Sequence, residues 1–155
     1  MNWGFIRLTM PEKRVTVKQR TAVAKRADDC CEYCLSQSRF STQRFSVENI
    51  TPRSRGGKTA LDNLAFACQG CNGHKATKTV ARDPATGEIV SLYDPHRQNW
   101  HEHFAWIDEF AVIVGLSPTG RATIEALRSN RENLINLRRI LYTKGVHPPA
   151  KPADI

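Results

Sequence analysis

Acidic side chains are scarce in this chain. Fifteen Asp and Glu stand against 23 Lys and Arg, for a net charge of +8 and a pI near 9.6. That balance fits a polyanionic partner, although charge alone specifies a partner weakly. Long apolar runs are missing too. Nothing approaches the roughly 20 residues that cross a bilayer. The first 20 residues carry Arg7, Lys13, Arg14, Lys18 and Arg20 around no long apolar centre. Neither a membrane span nor a signal peptide is expected, and a soluble cytoplasmic protein is. Aromatic content is 8% within a hydrophobic total of 40% over 155 residues. This allows one domain with a modest core, or one core with an extension. No internal repeat stands out.

Cysteine is also sparse, but it is patterned. Cys31-x-x-Cys34 and Cys68-x-x-Cys71 form two pairs, and Cys30 is left over as a non-ligand. Four thiolates close a tetrahedral zinc site with no open position, so such a metal would hold the fold and do no chemistry. Two disulfides or four buried thiols are the alternatives. The paired spacing favours Zn2+, and disulfides are rare in reducing compartments.

Between the pairs, Ser46 to Ile50 alternates polar and apolar and is stopped by Pro52, which predicts a short strand. Ser54-Arg55-Gly56-Gly57 is a turn whose glycines are free to take positive φ. Leu64 to Ala67 is a short apolar run, read as a second strand. A helix is expected after the second cysteine pair, over 72–79.

This segment resembles the HNH nucleases, whose ββα-metal core follows [D/E]-H-I-x-P-x-S-x-G-G … N-L … C-x-x-C-[H/N]-x-x-K. Glu48, Ile50, Pro52, Ser54, Gly56, Gly57, Asn63, Leu64, Cys68, Cys71, Asn72 and Lys75 match at the family's spacing. The likeness covers about residues 16–80. Beyond it, Asp94-Pro95, Trp100, His103 to Trp106 and Gly115 to Arg121 resemble the C-terminal extension of one small-nuclease branch. The resemblance implies an α+β, zinc-stabilised ββα-metal fold, with an N-terminal helix and a C-terminal hairpin and long helix. It also implies a hydrolase of DNA phosphodiesters, of restriction or homing type. The implied partner is double-stranded DNA.

One position departs from the pattern. The family's general-base histidine is replaced by Asn49. An imidazole titrates near neutral pH, whereas an amide has no comparable basicity. Losing a general base costs about 10²–10⁴-fold in rate. A nearly inactive nuclease that keeps its fold, zinc and DNA affinity is expected. Either the histidine has been replaced, or this is a naturally non-cleaving member.

The remaining roles follow from the resemblance. Glu48 and Asn72 would hold a catalytic Mg2+ or Mn2+, and Asn63 would tie the loop and orient the base. Arg53, Arg55 and Lys58 on the loop, with His74, Lys75 and Lys78 after the cysteines, would face phosphate. For each, a merely solvated basic surface is the alternative; for His74 a rescuing base is a further one, less favoured because base catalysis demands hydrogen-bond reach to the water. Other readings of the chain are a zinc-stabilised DNA-binding module without chemistry, and an RNA-directed or toxin nuclease. Two magnesium ligands at motif spacing argue against a pure binder.

The rest of the chain divides as an arm (1–15), the motif core (16–80), an extension (81–146) and a disordered proline-rich tail (147–155). The arm's Trp3, Phe5, Ile6 and Leu8 could dock on the core or on a second subunit. Thr16 should cap a helix to Ala27 that packs through Val17, Val23, Ala24 and Ala27. Asp83 to Glu88 reads as a turn, Ile89 to Leu92 as a strand, and Phe104 to Leu116 as a hairpin around Asp108-Glu109. His96, His101 and His103 lack a companion carboxylate pattern, so packing and DNA contact are favoured over a second metal. Ser117-Pro118 should open one helix reaching Lys144, with Gly145 as its stop. Its leucines make one face, open to pairing with a second copy as a homodimer. Arg128, Arg131 and Arg138 make a basic stripe beside that face.

Overall fold

The structure, a computed structural model, describes residues 14–150. The arm's Trp3, Phe5, Ile6 and Leu8, and the last five residues of the expected tail, lie outside the described residues. The fold is α+β, built from small antiparallel hairpins and five helices among the described residues.

Helix α1 spans Val17–Arg26 and starts as expected. The Thr16 hydroxyl accepts from the Gln19 amide at 3.1 Å, and the Gln19 side chain accepts from the Thr16 amide at 3.0 Å. This reciprocal box satisfies two of the helix's orphan donors. Val23 is buried, but Val17 is 84% exposed and does not pack as expected. It sits at the first turn, on the side away from the core.

Strands β1 (Ser46–Asn49) and β2 (Leu64–Ala67) pair antiparallel, with Glu48 opposite Ala65 and Asn49 opposite Leu64. Every residue of β2 is buried. Helix α2 covers Gln69–Lys75. It starts before and ends short of the expected 72–79 span. Cys68 already caps it through its sulfur, and Ala76 at φ 47° ends it. Strands β3 (Val80–Arg82) and β4 (Ile89–Ser91) flank the expected turn. Buried Asp83 anchors that turn, accepting from Ala85 and Thr86. It also takes two 2.9 Å bonds from Arg121.

Helix α3 (Trp100–His103) leads into the expected hairpin of β5 (Phe104–Ile107) and β6 (Val112–Gly115). The predicted long helix is in fact two, α4 (Pro118–Leu127) and α5 (Glu132–Thr143). Arg128 takes a left-handed conformation between them. The break serves β6: the Asn130 side chain exchanges two 2.8 Å bonds with the Ile113 backbone. A continuous helix could not place that amide there.

The basic stripe is a second correction. Arg138 is buried; its guanidinium bonds the carbonyls of Ala111 and Ser129 and lies 5.2 Å from the Trp106 ring centre. Gly145 ends α5 at φ 71°, as expected. His147, assigned to a disordered tail, is instead buried. Its Nε2 lies 2.8 Å from the Phe110 carbonyl, and its ring stands edge-on to Trp106.

One hydrophobic core runs through motif and extension alike, from Val23 and Tyr33 to Phe104, Ile113 and Leu127. Trp100 fastens the two by donating its indole N–H to the Tyr33 carbonyl at 3.0 Å. No described helix is long and apolar enough to cross a membrane.

Candidate metal centre and nucleic-acid interface

The two cysteine pairs meet. The sulfurs of Cys31, Cys34, Cys68 and Cys71 lie within 4.8 Å of one another, all buried. Sulfurs at about 2.3 Å from a tetrahedral zinc sit about 3.8 Å apart, and Cys34 and Cys68 are 3.8 Å apart. The donor set therefore fits zinc. Cys30 stands outside the cluster, with burial and then Asp28 and Asp29 pushing its thiol up to about 11. Four buried thiolates also need compensating charge. Contacts with the Cys31, Cys34 and Cys71 thiols hold Cys68 below the ordinary thiol range.

Sequence reasoning placed Arg131 on the basic stripe and missed its contact with the cysteines. Its guanidinium lies 3.4 Å from the Cys68 sulfur and 3.8 Å from that of Cys71. Burial pulls Arg131 down, but the negative charge of Cys71, Cys34 and Cys68 outweighs it and holds the group above its ordinary value. Gly70 makes the approach possible. A Cβ there would lie 2.4 Å from an Arg131 nitrogen. No sequence signal links positions 70 and 131, because they meet only when α5 docks on the knuckle.

The loop between β1 and β2 is tied by the Asn63 side chain. Asn63 accepts from the Thr51 amide at 2.8 Å and donates to the Thr51 and Lys58 carbonyls at 2.9 Å. Both glycines are demanded by the turn. Gly56 sits at φ 87°, and a Cβ on Gly57 would lie 1.7 Å from the Thr51 carbonyl oxygen. On this loop Arg53, Arg55 and Lys58 are exposed. The Arg55 guanidinium bonds the Thr77 carbonyl at 3.2 Å, which brings the loop beside the segment after α2. Lys78 is exposed there, bonding the His74 carbonyl at 2.9 Å. His74 is half-buried. Burial, then Arg128, Arg131 and Lys78, lower its pKa. A cleft of about 330 Å³ opens beside these groups, lined by Ile50, Thr51, Lys78, Tyr93 and Arg97. A larger groove, about 680 Å³, lies between α1 and residues 41–45; Glu48, Asn49, Asn63 and Asn72 do not line it.

Asn49 and Asn72 are both half-buried, on the last residue of β1 and the middle of α2. Lys75 is not a phosphate contact. It is 1% exposed and donates to Glu48 Oε2 at 3.1 Å and to the Ile50 carbonyl at 2.9 Å. The other Glu48 oxygen accepts from the Tyr33 hydroxyl. Burial pushes the Glu48 carboxyl up; Lys75, then the Tyr33 hydroxyl, pull it partway back. Each oxygen of the one acidic group expected to bind magnesium thus already accepts from a buried donor, and one of those donors is the Lys75 ammonium. As they stand, these donors do not fit a divalent cation. His96, His101 and His103, disfavoured from sequence as a second metal site, form no ligand cluster among the described residues, where the cysteines alone do. His103 instead packs against Ser117 at 2.6 Å.

Residues 31–78 match the family model described as HNH endonuclease. The matched segment holds both cysteine pairs, β1, the Asn63-tied loop, β2 and α2. No curated protein and no solved structure matches the chain.

Proposed function

We propose, from the match of residues 31–78 to the HNH endonuclease family model, that this chain binds double-stranded DNA and that its hydrolytic step is disabled by Asn49. The carrying observation is Asn49 itself, paired with Leu64 at the end of β1, where the family's general base stands. Asn49 is the last residue of β1, and the chain runs from it into the loop bearing Arg53, Arg55 and Lys58, which Arg55 ties to the segment holding Lys78. These cations suit phosphate contacts, which position a protein on DNA without reading sequence. The amide of Asn49 cannot take a proton from water, so strand cleavage falls by about 10²–10⁴-fold. Zinc fits the cysteine cluster and does no chemistry there. The protein is thus a duplex-binding nuclease scaffold rather than an efficient nuclease.

Fluorescence anisotropy with a short labelled duplex tests this. Affinity should fall steeply with salt, the slope tracking the phosphates contacted. Arg53→Ala, Arg55→Ala and Lys58→Ala should each shallow it by about one contact's worth. Supercoiled plasmid should be shifted but not nicked. Duplex affinity that ignores salt, or brisk nicking by the protein as it stands, overturns the proposal.

A further inference from the structure

Lys75 is coordinated in the way a bound cation would be. An ammonium has three N–H donors and no acceptor. Three oxygens surround this one: Glu48 Oε2 at 3.1 Å, the Ile50 carbonyl at 2.9 Å and the Asn49 carbonyl at 3.5 Å. Its side chain is 2% exposed and that of Glu48 is 7% exposed. Tyr33, edge-on to Tyr93, closes the other carboxylate oxygen. The charge of Glu48 is thus answered from within the chain, at the strand that carries Asn49.

A magnesium ion needs oxygens at about 2.0–2.1 Å in near-octahedral array. To reach Glu48 it would have to displace the buried lysine or share the carboxylate with it. Sharing sets a double positive charge against an ammonium in a poorly screened interior. Displacement leaves Lys75 charged and without its three acceptors, a costly state for a buried group. Among the described residues no second carboxylate joins Glu48 in a metal-binding group.

We infer that Lys75 is the resident cation of this pocket, and that the HNH segment takes no divalent ion at Glu48 and binds DNA without one. The DNA part rests on the function proposed above; the metal part does not. Two separate features then silence cleavage, Asn49 in place of a base and Lys75 in place of a metal. Restoring the histidine alone leaves the protein inactive.

The test uses the zinc-loaded full chain titrated with Mn2+, the free ion being followed by electron paramagnetic resonance. The expected result is a free-ion signal equal to that of buffer alone. Duplex affinity should also be unchanged when magnesium is replaced by potassium at equal ionic strength. Asn49→His should give no nicking with magnesium or manganese. Stoichiometric Mn2+ capture that disappears in Glu48→Gln overturns the inference, and so does metal-dependent nicking by Asn49→His. Capture undiminished in Glu48→Gln supports it, since the carboxylate is then no ligand. Lys75→Met should gain Mn2+ affinity if it folds; the titration of the unaltered protein decides the matter if it does not. Failure to bind any duplex would sink the proposed function while leaving the manganese result standing.

Discussion

Replacing Lys75 with Met removes the buried ammonium and keeps most of the stem's volume. What remains is a Glu48 carboxyl held by the Tyr33 hydroxyl alone, and an Ile50 carbonyl without its donor. Removing one partner of a buried ion pair costs about 3–5 kcal/mol. An unsatisfied buried carbonyl costs about 1–3 kcal/mol by itself, but the two overlap and do not add. Domains of this size hold about 5–15 kcal/mol in total, so the loss is a large share. It should depend on pH. The folded-state pKa of Glu48 is already raised by burial, and loss of Lys75 raises it further. A carboxyl with a raised folded pKa contributes stability that is full below its unfolded pKa and lost as pH rises through the folded one. The variant should therefore be hurt more near pH 8 than near pH 5. Urea unfolding of the zinc-loaded protein at both pH values measures this. Glu48→Gln added to Lys75→Met should recover part of the loss, because the stranded charge is then gone. A Lys75→Met penalty under about 1 kcal/mol at both pH values would refute the argument, since that is what an exposed pair is worth.

Four more outcomes follow from the geometry. Metal analysis should find one zinc per chain, and Cys68→Ser should lose both zinc and cooperative unfolding. Arg131→Ala should release zinc to a chelator faster, roughly in the 10–100-fold range typical of outer-shell partners, with Arg131→Lys in between. Gly57→Ala should lower duplex affinity while zinc content stays at one, because a Cβ 1.7 Å from the Thr51 oxygen forces the basic loop to move. Arg121 holds the Asp83 carboxyl well below its usual range. The stability this gives is present above the ordinary carboxylate pKa and is lost as pH falls through the depressed one, so Asp83→Asn should flatten the acid limb of a stability–pH curve.

Short-range features were legible in the chain. The x2 cysteine spacing already carries the ligand geometry of a zinc knuckle, and the Thr16 cap, the Asp83 to Glu88 turn and the β5–β6 hairpin each rest on residues close in sequence. The glycine pair was legible as a turn for the same reason, whereas Asn63, whose partner Thr51 lies 12 residues away, was named only through the family resemblance. The misreadings share the opposite cause. Lys75 on a polar stretch looked like a phosphate ligand, but its partner Glu48 is 27 residues away. Arg138 looked like part of a solvated stripe, but its acceptors lie on Ala111 and Ser129. One long helix became two because Asn130 is needed at Ile113.

The sequence by itself determined the four clustered cysteines, the ββα order of the motif and the amide at position 49, because these depend on residue type at fixed spacing. Only the tertiary structure decided which charges stay in water. Burial makes an unpaired charge costly, so Glu48 and Lys75 pair with each other, and Arg131 sits on the cysteine sulfurs. A linear pattern records that each charge exists, but its partner is fixed only by the fold: inside the motif for Glu48 and Lys75, and by the docking of α5 for Arg131.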